Sequence, residues 1–193
     1  MFPWASFLTY AVVTAVTPGP NNLLSMANGS RKGFRGALPF NLGILAGFAM
    51  VMVLCTLFCG LLSAMIPRIK VPMLLVGAAY MLWLAWQTFR SRGELAEGHT
   101  QGGFAAGLVL QFINPKIYLY CILSMEAYIL PYYHSQPLVL LAFALLLAFI
   151  GFLFTLCWSA FGSLFRWLFS RHARVVNTIM ALLLVYCALS LFL

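Results

Sequence analysis

The sequence predicts an all-α integral membrane protein with six transmembrane helices, and three observations support this prediction. Of the 193 residues, 64% are hydrophobic and only 7% are charged, whereas an ordinary soluble domain is about a quarter charged. Polar residues divide the chain into six apolar spans of about the ~20 residues that a ~30 Å hydrocarbon core requires. No span alternates apolar and polar residues as a barrel strand does, so the backbone must satisfy its hydrogen bonds within helices.

The six spans follow one another with short polar connections. They lie near residues 4–27, 37–65, 71–89, 103–130, 138–163 and 175–193. No connection is long enough to fold alone, so we expect one transmembrane domain over residues 1–193, with halves of approximately 1–92 and 103–193. The first span lacks a small-residue cleavage site after a short apolar core, so we expect it to remain as a helix.

The basic residues predict which way the chain crosses the membrane. Loops one, three and five carry Arg31, Lys32, Arg35, Arg90, Arg92, Arg166, Arg171 and Arg174. Loop two carries only Arg68 and Lys70, and loop four has neither Lys nor Arg. Because short basic loops stay in the cytoplasm, both termini are predicted to face outside. The net charge of +8 is explained by attraction of these loops to an anionic inner membrane surface. The sequence has no basic soluble module of the kind that binds nucleic acid, so we expect no nucleic-acid partner.

The first span contains an interruption with the sequence TPGPNN. Proline removes a backbone donor and clashes with the preceding turn, so two prolines around a glycine should break the helix. The helix should restart at Pro20, and its positive end suits a carboxylate. Exposed backbone at this depth is tolerated where protein or water buries it, which makes the whole segment a candidate substrate site. Its residues are Thr17, Pro18, Gly19, Pro20, Asn21 and Asn22. A proline kink that only shapes helix packing is the alternative.

A second interruption, Asn114, Pro115 and Lys116, lies in the fourth span within LQFINPKIYL. Spans one and four open the two halves of the chain. Because three helices is an odd number, the second half should insert upside down and form a 3+3 inverted repeat with broken helices one and four. Paired interruptions in such repeats are typical of transporter binding sites. The second break therefore favours a binding site over a simple kink.

Lys116 is the most informative single residue. It lies about 16 Å into its span, near the middle of the bilayer, where a lysine is costly and is expected to face a cavity. It could bind a substrate carboxylate or carry a proton, and snorkelling is the structural alternative. Glu126 follows about 15 Å further along the same helix, where it could be a hydrated carboxylate at the rim or a coupling site.

Other side chains in the spans are weaker indications of a functional site. Asn41, Tyr80 and Trp83 are predicted as possible cavity-lining residues. All five cysteines are expected to be small buried side chains. They are Cys55, Cys59, Cys121, Cys157 and Cys187. The histidines His99, His134 and His172 fall in loops. The spans contain no histidine, no aspartate and no CxxC pair, so we expect no metal, no cofactor and no enzymatic activity.

Three motifs, TPGPNN, GAAYMLWLAW and NPK, resemble those of the LysE/RhtB family of amino-acid exporters, and the resemblance covers essentially the whole chain. The segments GFRGALPF, LQFINPK and ALLLVYCALSLFL are most similar to the cysteine/O-acetylserine exporter branch. The resemblance implies a multi-pass protein of the bacterial inner membrane that expels small neutral amino acids or their derivatives, with cysteine and O-acetylserine as the expected substrates, by alternating access. Homoserine, threonine or lysine are alternative substrates.

Several properties stay open at this stage. Protons are a candidate coupling ion, and a homo-oligomer is compatible with the sequence. Broken helices also line channels, and a membrane scaffold without transport could have six helices. Saturable counterflow of an amino acid would separate a carrier from both.

Overall fold

The computed structural model describes residues 1–90 and 103–190. Among these, the side chains at 59–70, 73, 168–170 and 173 lie outside the described set. Arg92, His99 and the last three residues of the sixth predicted span are therefore outside the description, as are the side chains of Cys59, Arg68 and Lys70. The halves predicted as approximately 1–92 and 103–193 are described up to Arg90 and from Gly103 to Ser190.

The described chain is helical apart from short connections. Its α-helices are α1 (Trp4–Val16), α2 (Pro20–Leu57), α3 (Cys59–Arg90), α4 (Phe104–Ile113), α5 (Pro115–Ser124), α6 (Leu130–Tyr133), α7 (Pro137–Leu164), α8 (Arg166–Arg171) and α9 (Ala173–Leu189). A π-helical turn, Met125–Ile129, joins α5 to α6. The prediction of an all-helical protein is confirmed.

By length and composition, two helices in the described chain can cross a membrane alone, namely α2 and α7. A third crossing is formed if α4 and the segment Pro115–Tyr133 count as one span bent by 64°. The helices Trp4–Val16 and Arg174–Leu189 are apolar but shorter. The first predicted span is shortened because α1 ends at Val16, and the sixth predicted span is described only as far as Ser190.

Gly33 divides α2 into two segments. Its backbone has φ 72° and ψ 168°, which is not helical, and a glycine adopts a positive φ without steric cost. We call the parts α2a (20–32) and α2b (34–57). Asn21 of α2a and Gly47 of α2b both lie against Gln111. The chain therefore folds back at Gly33, inside the predicted first loop.

Glycines allow the helices to approach at backbone distance. A Cβ added to Gly43 would meet the carbonyl of Phe104, and one added to Gly107 would meet the carbonyl of Phe40. Small residues have this role in membrane helix packing, and an added Cβ on Gly47 would likewise meet the backbone of Leu108. Gly103 differs, because no atom lies within 4 Å of an added Cβ there.

The two ends of the bundle differ in composition. At the end that we call the basic end, the backbone N–H of Phe34 donates to Ser163 Oγ at 3.0 Å, which places the loop carrying Arg31, Lys32 and Arg35 beside the end of α7. At the aromatic end, about 30 Å away along α7, the ring of Phe2 lies 5.2 Å from that of Phe143. The neighbouring rings there are Trp4, Phe7, Tyr132 and Tyr133. Two predicted basic loops thus meet at one end.

Candidate functional site

The first break lies between α1 and α2. Thr17 is extended, with φ −60° and ψ 144°, and Gly19 is extended, with φ −173° and ψ 173°. Pro20 is the first residue of α2, where its missing N–H has no partner to lose. The predicted interruption and the restart at Pro20 are confirmed. Gly19 precedes the new helix and supplies no side-chain cap.

The second break is shorter and consists of Asn114 alone. Its backbone is extended at φ −83° and ψ 103°, and α5 begins at Pro115. The side chain of Asn114 caps the new helix, because its Oδ1 accepts a hydrogen bond from the backbone N–H of Lys116 at 3.1 Å. The sequence prediction of a break before Pro115 is confirmed.

The two breaks contact each other directly. Asn114 Nδ2 donates to Asn21 Oδ1 at 3.1 Å. Lys116 Nζ donates to the carbonyl oxygen of Thr17 at 3.0 Å and to its Oγ1 at 2.8 Å. Two segments that are far apart in the sequence therefore form one polar site.

Gln111 completes this amide cluster and was not predicted. It is fully buried, and it exchanges hydrogen bonds with Asn21 at 2.8 and 3.2 Å. Its Nε2 also donates to the carbonyl of Gly107 at 2.8 Å. An amide in an apolar span, one turn before the NPK motif, was the signal that could have revealed it.

The carbonyls released by the first break are satisfied by side chains. Asn22 Nδ2 donates to the carbonyls of Ala15 at 2.8 Å and Thr17 at 2.9 Å. From other helices, Trp158 Nε1 donates to the carbonyl of Val16 at 3.2 Å and Cys187 Sγ to that of Pro18 at 3.3 Å. An unpaired carbonyl at membrane depth costs several kcal/mol, so these donors allow the break to exist.

A cavity of about 40 Å³ lies between the two breaks. This is space for about three water molecules. Its lining residues are Thr14, Ala15, Gly19, Pro20, Asn21, Asn22, Phe48, Asn114, Lys116, Ile117, Tyr120, Gly151 and Thr155. Six of the predicted site residues are among them. Phe48 of α2b and Gly151 and Thr155 of α7 also line the cavity, and no sequence motif predicted these three.

Lys116 is the charged residue among those that line the cavity. A Cβ on Gly19 would lie 3.2 Å from Lys116 Cδ and 3.3 Å from Nζ, so the absence of a side chain at Gly19 makes room for the ammonium. Glu126 is the one acidic residue in the described part of the chain. It is exposed in the π-helical turn, about 15 Å along the helix from Lys116. The cavity therefore presents positive charge that no described carboxylate neutralises.

The remaining predicted residues lie around or outside this cavity. Pro115 is buried against Gly77, where an added Cβ would meet the proline ring. Tyr80 is half-buried and Trp83 is exposed, with their ring centroids 5.9 Å apart. Asn41 is fully buried. Asn41, Tyr80 and Trp83 are not among the residues that line the cavity.

The cysteines are in part as predicted. Cys55, Cys121 and Cys187 are buried and form no disulfide within the described chain, whereas Cys157 is exposed on α7. The bond from Cys187 to Pro18 shows that this thiol is a hydrogen-bond donor as well as a small side chain.

Comparison with known proteins adds a second line of evidence. The family model described as LysE type translocator matches residues 12–193. A protein from Klebsiella pneumoniae named cysteine/O-acetylserine efflux protein is 40% identical over 185 residues, which cover 95% of this chain and 94% of that protein.

Proteins of the same name from Salmonella typhimurium and from Escherichia coli O6:K15:H31 are 39% and 37% identical over 189 residues. Each of these alignments covers 97% of this chain and 96% of the relative. No solved structure matches the chain.

Proposed function

The chain belongs to the LysE type translocator family, and from this premise we propose that it exports cysteine and O-acetylserine. As a member of that family it is a transporter and not an enzyme. The substrate class is taken from the printed name of relatives that align over nearly the whole chain. Homoserine and threonine are the alternative substrates that a comparative transport assay must separate from these two.

The observation that supports this proposal best is the meeting of two broken helices around Lys116. A zwitterionic amino acid carries one negative and one positive group. Its carboxylate would bind the ammonium of Lys116, near the helix start at Pro20, because cationic groups and helix N-termini favour anions. Thr17 takes two of the three donors of the ammonium, which leaves one for the substrate.

The substrate ammonium needs hydrogen-bond acceptors. Asn114 Oδ1 accepts one hydrogen bond and keeps a lone pair for the substrate. The carbonyl oxygen of Thr17 and Asn21 Oδ1 each already accept two hydrogen bonds, so each would exchange one of these partners for the substrate. These three oxygens carry partial negative charge, so they can bind the ammonium without forming an ion pair that would hold the substrate too tightly for release.

The size and charge of the cavity favour small neutral amino acids. The space of about 40 Å³ suits a short side chain. A lysine substrate would bring a second ammonium close to Lys116, and like charges at short range repel. Lysine is therefore a poorer candidate than cysteine or O-acetylserine.

We propose six spans in a 3+3 inverted repeat, with the basic end in the cytoplasm of a bacterial cell and both termini outside. The meeting of the first and fifth basic loops at one end supports this orientation. Rocking of the two halves around the Lys116 cavity would expose the substrate to either side. Protons are the proposed coupling ion, and the amine of Lys116 at the cavity could carry one.

The test is counterflow in proteoliposomes. Vesicles are loaded with unlabelled cysteine or O-acetylserine, and uptake of the labelled compound is compared with that of homoserine, threonine and lysine. We expect saturable exchange that is fastest for cysteine and O-acetylserine. Lys116→Met should reduce exchange about 100-fold, which corresponds to a lost charge-assisted hydrogen bond of about 2–3 kcal/mol.

The matched control is Glu126→Gln, which neutralises an ionisable residue on the same side of the second break but outside the cavity. It should leave counterflow within twofold of the parent protein. Exchange that does not saturate would indicate a channel. Absence of exchange for every amino acid, or full exchange by Lys116→Met, would overturn the proposal.

A further inference from the structure

Three polar residues are buried on helices that pack against one another, and their polar atoms have no partner among the described residues. Ser25, Asn41 and Ser159 each have 0% of their surface exposed. No hydrogen bond within the described chain reaches the Oγ atoms of Ser25 and Ser159. The same holds for Nδ2 and Oδ1 of Asn41. A buried unsatisfied polar group costs about 1–3 kcal/mol, so a role beyond packing is needed to explain why three occur together.

Ser159 lies between the cavity and the basic end. On α7, Thr155 lines the cavity, Ser159 follows one turn later, and Ser163 follows after another turn. Ser163 Oγ accepts from the backbone N–H of Phe34 at the basic end. Residues four apart share a helix face and are separated by about 6 Å along the axis. These three hydroxyls therefore form a row that leads from the cavity to the basic end.

Asn41 has the corresponding position on α2b. Phe48 lines the cavity and packs against Gly151 of α7. Asn41 lies seven residues earlier, and Phe34, at the basic end, another seven. Steps of seven keep the same helix face, so Asn41 lies on the face that α2b turns towards α7.

Ser25 has the corresponding position on α2a. Asn22 lines the cavity, Ser25 follows, and Gly29 then packs against the backbone of Ser159. All three helix segments thus run in the same order from a cavity residue, through an unpartnered polar residue, to the basic end.

We propose that Ser25, Asn41 and Ser159 line a closed passage through which the zwitterionic amino acid and its water reach the cavity from the basic end. The proposal rests on the export function and adds the entry route to it. Hydroxyl and amide groups both donate and accept, so they can replace water around an ammonium and a carboxylate. Being uncharged, they do not trap either group.

Close helix packing shuts this passage. An added Cβ on Gly29 would meet the backbone of Ser159, and one on Gly162 would meet the backbone of Met26. Entry of an amino acid therefore requires α2a to separate from α7, and this movement would hydrate the three polar residues.

The first experiment measures water access. Ser159→Cys, nearly isosteric, is treated with a membrane-impermeant maleimide on each side of the vesicle, with the parent protein as the baseline for the native cysteines. Ser124→Cys is the matched control, because Ser124 is equally buried and its Oγ also lacks a partner among the described residues. Ser124 lies about 12 Å beyond Lys116 along the helix, towards the aromatic end.

We expect Ser159→Cys to be labelled from the basic-end side at least fivefold faster than Ser124→Cys, and saturating O-acetylserine to change that rate. Equal labelling of the two variants, or no labelling of Ser159→Cys while the parent protein exchanges substrate, would overturn the passage and leave the export function intact. A parent protein that exchanges nothing would instead overturn the export function.

The second experiment separates a passage from a packing defect. Asn41→Leu replaces two unpartnered polar atoms by two methyl groups on a side chain with the same number and branching of heavy atoms, so on packing grounds it should raise the melting temperature and leave exchange unchanged. If these residues line a passage, we expect the same rise in melting temperature. The exchange rate should then be at least tenfold lower than that of the parent protein, and the substrate affinity should stay within twofold of the parent value. Asn41→Ser should restore part of the rate. Exchange by Asn41→Leu equal to the parent rate would overturn the proposal.

Discussion

The two helix breaks differ in how their backbone groups are satisfied. The break before α2 leaves Thr17, Pro18 and Gly19 outside any helix, and its carbonyls take donors from α5, α7 and α9 as well as from α2. The break before α5 is one residue long, and Asn114 caps the new helix with its own side chain. The first break therefore depends on tertiary packing, whereas the second is largely local.

This difference assigns complementary chemistry to the two breaks. The first is rich in acceptors, because the consecutive carbonyls of Val16, Thr17 and Pro18 all accept hydrogen bonds from side chains. The second delivers the ammonium of Lys116, a donor, to the same place. A zwitterion has both kinds of group, so the pair of breaks suits it better than two identical breaks would.

The largest effect on stability is expected at the first break. Asn22→Leu removes the donor to the carbonyls of Ala15 and Thr17, and the Ala15 carbonyl is then left in an apolar setting. The free energy of unfolding should fall by about 3 kcal/mol. Thermal unfolding of the purified protein in detergent measures this loss. A change of less than about 0.5 kcal/mol, which is the usual range for a neutral surface substitution, would show that the break does not depend on this side chain.

Two glycines test the rigidity of the two breaks. Gly77→Ala places a methyl group against the ring of Pro115, which cannot turn away, so overpacking should cost about 2 kcal/mol. Gly19→Ala is the matched variant, because its methyl group meets the flexible side chain of Lys116 and its backbone is already extended.

For Gly19→Ala we expect near-parent stability and a several-fold weaker substrate affinity, since the ammonium must shift. Melting temperature and the half-saturation concentration of counterflow distinguish the two variants. Equal loss of stability in both would contradict the comparison.

The smallest effect on stability is expected at the second break. Asn114→Ala removes the cap on Lys116 N and the bond to Asn21, and loss of a cap typically costs about 1 kcal/mol. Asn114→Ser should retain the cap but not the contact with Asn21. If the contact positions the cavity, Asn114→Ser will show near-parent stability with weakened exchange, measured by thermal unfolding and counterflow. Parent-like exchange would assign Asn114 to capping alone.

The sequence predicted the positions of both breaks. Proline acts on its own helix turn, so Pro20 and Pro115 mark helix starts wherever the chain later packs. The predicted depth of Lys116 came from helix rise alone. The fold-back at Gly33 lies within the predicted first loop and separates α2a from α2b, although length and composition alone give two or three membrane crossings in the described chain instead of six.

Local sequence thus determined the membrane class, the two breaks and the cost of placing Lys116 between them, since each depends on composition or on neighbouring residues. Tertiary structure alone decided that Trp158 and Cys187 satisfy the first break, that Gln111 joins Asn21 to the second, and that Asn41 lies outside the cavity. The physical reason is that a hydrogen bond between distant residues depends on how whole helices cross, and helix crossing is set by the summed packing of many side chains.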